Sequence, residues 1–128
     1  MSFEERALKA VEFKESGQFN CTQAVLKAFE DRMDVDMDSA LLLSTGFGAG
    51  MGSMEATCDA LIGAVMVAGA LTHGIATPRA SAQILKAFDL RSGATICKDL
   101  KGKDTGVVLC SCSDCVKNAV LALGGVLD

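Results

Sequence analysis

Six cysteines, Cys21, Cys58, Cys97, Cys110, Cys112 and Cys115, are the residues of this chain best suited to chemistry. Three of them crowd the run Cys110-Ser-Cys112-Ser-Asp-Cys115, in which Cys112 and Cys115 form a C-x-x-C leading into a helix. That spacing suits a reversible disulfide, or two tetrahedral ligands on one metal. Cys21, Cys58 and Cys115 each follow a helix-capping residue, Asn20, Ser53 and Ser113, which predicts all three in the first turns of helices. Free amide N–H groups and the positive end of the helix dipole lie there and favour the thiolate, which is both the nucleophile and the metal ligand. The competing explanation is packing: free cysteine is often a small buried hydrophobe, and Cys21 and Cys58 lie on apolar faces.

Other chemistries find little support. His73 is the only histidine and precedes Gly74 at a helix end, where it reads as a cap, so a metal here would be held mostly by sulfur. Within one helix His73 would stand about 22 Å from Cys58, which excludes a Cys–His nucleophile pair on that helix. No G-x-S-x-G elbow occurs, and the evenly spaced cysteine run of ferredoxins is absent. Gly46 to Gly52 reads Gly-x-Gly-x-Gly-x-Gly, with no preceding strand and no Walker lysine, so it is not a nucleotide fingerprint. Glycine permits positive φ and close approach. Gly48, Gly50 and Gly52 are therefore expected to shape one wall of the thiol site and are the candidate cofactor contacts, with Phe47 and Met51 anchoring the turn.

The elements that must position these thiols are helical. The chain has 128 residues, half of them hydrophobic, many small, with one proline and no Trp or Tyr. That composition suits close-packed helices in a single domain over 1–128. Ser2 with Glu5 and Asn20 with Gln23 are capping boxes, Asp36 or Asp38 starts a short helix through Leu43, and Thr77-Pro78 starts another. Ser53 is expected to start the longest helix, which carries no charge from Ala60 to about Thr72 and so reads as buried on all sides. A helical turn is expected at Cys97, and a last helix over about 114–123. The expected fold is an all-α bundle of about five to six helices, with a glycine-rich loop before the central buried helix. If helices alternate up and down, the starts carrying Cys21, Cys58 and Cys115 share one end.

The net charge of −4, with no basic run, argues against nucleic-acid and anionic-membrane partners. The acidic, amphipathic N-terminus predicts no signal peptide, and no apolar stretch is long enough to span a bilayer, so a cytoplasmic location is expected. In that reducing compartment the thiols are expected to be catalytic or metal-binding rather than structural bridges.

The runs Asn20-Cys21-x-Gln23-Ala24-Val25, Gly46-Phe-Gly-x-Gly-Met-Gly52 and Glu55-x-x-Cys58-x-Ala60-x-x-Gly63-Ala64 resemble the C_GCAxxG_C_C family, which is named for redox activity. Cys97-x-x-Leu100-x-Gly102 and Cys115-Val116 fit its last two cysteines. The resemblance implies a small helical protein with signature thiols at Cys21, Cys58, Cys97 and Cys115. Asp59 departs from the glycine usual after the second cysteine, and Cys110 and Cys112 stand as additions. The expected function is thiol–disulfide or electron-transfer chemistry at these four cysteines, with Cys112 resolving Cys115. The alternative is that Cys21, Cys58, Cys97 and Cys115 enclose zinc or an iron–sulfur cluster. Expected partners are a redox protein or a small thiol, and a homodimer stays open.

Overall fold

The computed structural model describes residues 1–127, and among them the regular structure is entirely helical. Seven α-helices follow in order: α1 (Phe3–Glu15), α2 (Cys21–Ala28), α3 (Met37–Leu43), α4 (Asp59–Leu71), α5 (Thr77–Ser92), α6 (Cys97–Lys101) and α7 (Cys112–Leu127). The count exceeds the five or six expected because the turn at Cys97 closes as a helix of its own. No helix among the described residues is long and apolar enough to cross a membrane.

Capping chemistry sets most starts as the sequence predicts. Ser2 and Glu5 exchange side-chain and backbone bonds at 3.1 Å each. Asn20 accepts from the Gln23 amide at 2.8 Å, and Gln23 accepts in return from Asn20 at 2.9 Å. The same two side chains reach across to α3, Gln23 donating to the Leu41 carbonyl at 2.9 Å and Asn20 to that of Ser44 at 3.2 Å. The cap of α2 thus also fixes the end of α3.

The C-terminal helix α7 packs on α1, α2, α4 and α5, and α2 lies across α4. Ala24, Val25, Leu61, Ala64, Val116 and Val120 fill the space between them. Small residues allow the close approach. A Cβ at Gly63 would lie 2.9 Å from the Thr22 carbonyl oxygen, and one at Gly124 would lie 2.7 Å from the Phe3 ring. Buried Arg6 ties α1 to the end of α2: it pairs with both Asp31 oxygens at 2.6 and 3.0 Å, donates to the Ala28 carbonyl, and lies over the Phe29 ring.

Three expectations need correction. The central helix begins at Asp59, not at Ser53, because Ala49, Gly50, Met51, Gly52 and Met54 all have positive φ, which a right-handed helix cannot carry. Ser53 instead closes a local turn, donating to the Gly50 carbonyl and accepting from the Glu55 amide. Secondly, α4 is not enclosed on every side: Ile62, Val65 and Met66 are half-buried and line an apolar groove of about 340 Å³ beside α5. Finally, Met51 does not anchor its turn, being 61% exposed.

Candidate functional site

Four helix starts bring the cysteines together. Cys21 is the first residue of α2 and Cys97 the first of α6, while Cys58 is the N-cap of α4 rather than a residue inside its first turn. At α7 the cap is Ser111, whose Oγ accepts from the Asp114 amide at 3.2 Å, not Ser113 as the sequence suggests. The helix therefore starts at Cys112, with Cys115 one turn further on.

Backbone contacts hold these starts in register. The Asp59 carboxylate accepts from the Cys21 and Thr22 amides at 3.0 and 3.3 Å, and the Thr22 hydroxyl donates to the Asp59 carbonyl at 2.6 Å. A single antiparallel bridge joins Thr57 to Ile96, with Cys58 N–H donating to the Thr95 carbonyl at 2.8 Å and Cys97 N–H to that of Ala56 at 3.0 Å. Gly50 passes over Cys97 so closely that a Cβ there would sit 2.6 Å from the Cys97 Cβ. A Cβ at Gly48 would meet Asn20 at 3.3 Å, whereas Gly52 has open space around it.

A cavity of about 220 Å³ opens among these elements, lined by Lys14, Cys21, Asp59, Cys97, Lys101 and Cys112 together with Asn20, Ala49 and Met54. Cys112 is exposed, while Cys21 and Cys97 are buried at its walls. Cys58 and Cys115 lie deeper and do not line the cavity. Cys110 is drawn aside, accepting from Asn118 at 3.6 Å.

The neighbouring Cys21 thiol pulls Cys112 down to about 5, with Lys101 and Lys14 adding to the effect against the cost of burial. Cys112 in turn, with burial and the Asp59 charge, pushes Cys21 up, so the pair's proton stays on Cys21. Deeper in, the neighbouring Cys115 holds Cys58 below its ordinary value, helped by the Ala60 and Leu61 amides at the start of α4. Cys115 is raised by that same partner and by burial, and its S–H is directed to the Cys110 carbonyl at 3.7 Å. Burial, and then Cys58, raise Cys97. Burial also raises the Asp59 carboxyl.

Lys101 reaches from the cavity to Cys115. Its ammonium lines the cavity, donates to Cys115 Sγ at 3.2 Å and to the Cys110 carbonyl at 2.9 Å. Burial opposes its charge, yet Cys115, Cys112 and Cys58 outweigh that and hold it above the ordinary lysine value. One overlooked signal for this residue was its spacing: Lys101 lies four positions after Cys97 on α6, hence on the same face.

The donor set can be tested against a metal. Zinc and iron–sulfur sites need three or four ligands converging on one point. Among the described residues no group of three or more His, Cys, Asp or Glu is so placed.

Residues 19–125 match a family described as "Putative redox-active protein (C_GCAxxG_C_C)", a span that includes all six cysteines. The chain belongs to the C_GCAxxG_C_C family. No curated protein and no solved structure matches it. For this C_GCAxxG_C_C member the site therefore rests on its own geometry.

Proposed function

We propose that the protein carries out thiol–disulfide exchange, with Cys112 as the attacking thiolate and Cys21 as the resolving thiol. The observation that carries this reading is exposed Cys112, which lines one cavity together with Cys21, Lys14 and Lys101. An unperturbed thiol is only a few per cent ionised at neutral pH, whereas Cys112, held at about 5, is almost wholly thiolate. The Cys112 thiolate attacks one sulfur of an incoming disulfide and expels its partner as a thiolate. Cys21 then attacks Cys112, closes the Cys21–Cys112 disulfide and releases the second thiol, its proton leaving with that product. The small, lysine-flanked cavity fits a small thiol or an extended segment of a redox partner better than a folded surface. Cys97, packed under Gly50, lines the cavity with Ala49 of the same turn, while Gly48 lies against Asn20 and Gly52 touches nothing.

The test is reaction of the reduced protein with an aromatic disulfide under argon, followed by mass spectrometry. Wild type is expected to finish without adduct, about two mass units lighter, whereas Cys21→Ser stops with one adduct on Cys112. Cys112→Ser should lose the fast phase altogether. A fast phase that survives in Cys112→Ser contradicts the proposal.

A further inference from the structure

The cavity at Cys112 is small and its charges are unevenly engaged. At about 220 Å³ it lies below the roughly 300–1,000 Å³ of pockets that take drug-sized ligands, so it has room for one half of a small disulfide. Two ammonium groups, Lys14 and Lys101, share its lining with one carboxylate, Asp59. Lys101 is already committed, donating to the Cys110 carbonyl at 2.9 Å and to Cys115 Sγ at 3.2 Å. Asp59 is engaged as well, one oxygen accepting from the Cys21 and Thr22 amides at 3.0 and 3.3 Å. Lys14 differs from both. It lies half-buried in the last turn of α1 and enters no ion pair among the described residues. The acid next to it, Glu15, accepts instead from the Ser113 hydroxyl of α7 at 3.3 Å.

We infer that Lys14 is a specificity residue and that the substrate is a low-molecular-weight disulfide bearing a carboxylate, which the Lys14 ammonium holds while Cys112 attacks. This inference rests on the exchange chemistry proposed above and narrows its substrate to anionic small disulfides. The Cys112 thiolate bonds to the sulfur of the half in the cavity, the substrate S–S bond breaks, and the other half departs as a thiolate. Cys21 then closes on Cys112, and the held half leaves as a thiol with the Cys21 proton.

Charge explains the preference. Before attack, the ammonium groups of Lys14 and Lys101 face Asp59 and the Cys112 thiolate across the cavity. The mixed disulfide removes the thiolate's charge and leaves both ammonium groups with Asp59 alone. A carboxylate on the bound half restores the balance in this partly buried site, whereas a neutral half does not. Lys14 is the group left to receive it, through charge-assisted hydrogen bonds. The net charge of −4 disfavours anions at long range, so a preference for an anionic disulfide has to arise locally.

The test compares 3,3′-dithiodipropionate with its uncharged diamide, which matches it in size and in the reacting bond. Reduced protein is mixed with each at neutral pH and low salt under argon, and quenched samples are read by mass spectrometry with peptide mapping. Wild type is expected to react at least about tenfold faster with the dianion, an advantage that shrinks as salt is added. Lys14→Gln should bring the ratio of the two rates to within about twofold of one, and Lys14→Arg should restore the preference. The ratio cancels any change in the nucleophilicity of Cys112, which a lysine substitution also alters. Lys9→Gln makes the same charge change on an exposed residue of α1 outside the cavity, and should keep the wild-type ratio. Equal rates in wild type overturn the inference, as does a preference that survives in Lys14→Gln. A preference lost equally in Lys9→Gln also overturns it, since a diffuse field would then be responsible. Wild type that reacts with neither disulfide at Cys112 would remove the exchange reading, and this inference with it. Circular dichroism of each variant separates these outcomes from loss of fold.

Discussion

At Cys112 one S–H and two ammonium groups act on a single sulfur, and each leaves a measurable trace. Cys21 lowers it most, and Lys101 and Lys14 lower it further. Alkylation of Cys112 by iodoacetamide should therefore rise through a midpoint near pH 5 and be flat from about pH 6.5 upward. Lys101→Met should move that midpoint upward, since the charge it removes favours the thiolate. The sign for stability follows from the same shift. A folded value below that of unfolded cysteine means the thiolate's contribution is full above the unfolded value and lost as pH falls through about 5. A midpoint near the ordinary cysteine value would show that the neighbours do not act on this sulfur. The residue scale was half legible. The Asn20 cap revealed Cys21 as a helix start, whereas Ser53 and Ser113 do not cap the helices assigned to them, and which starts face each other leaves no trace in sequence spacing.

The short elements decide where the thiols point. Asn20 and Gln23 cap α2 and reach α3, while α6 is one turn that carries Cys97 and Lys101 on one side. The start of α2 was readable because capping is local chemistry, whereas α6 has no side-chain cap. The segment before α4 was not, since alanine and glycine there fit both a helix and a turn. What settles it is the left-handed backbone at Ala49, Met51 and Met54, strain that the neighbouring packing must sustain. Gly50 is its tightest point. Gly50→Ala would have to hold φ near +59° and push a methyl against the Cys97 Cβ and Sγ, so a loss of about 1–3 kcal/mol is expected, read by urea unfolding. Gly52→Ala has the same backbone cost and no neighbour within 4 Å, so it should lose less. Equal losses at both positions would mean that contact with Cys97 does not shape this wall.

Across the whole molecule, α2, α4, α6 and α7 start around one region, and their dipoles, two lysines and one carboxylate set its electrostatics. Up-and-down alternation anticipated that three starts would share an end, because antiparallel packing of successive helices is the usual outcome of short connections. It did not anticipate the fourth start at Cys97, which the bridge between Thr57 and Ile96 brings in, nor Lys101 with it. Such long-range contacts leave no periodic trace in a single sequence. The pairing of sulfurs across helices is the central claim, and it differs from the pairing that spacing alone suggests. The most direct measurement is peptide mapping of the disulfide formed when the reduced protein meets one equivalent of a small disulfide. A crosslink between Cys21 and Cys112 is the predicted result; a predominant crosslink within the tail, from Cys112 to Cys115 or to Cys110, would contradict it.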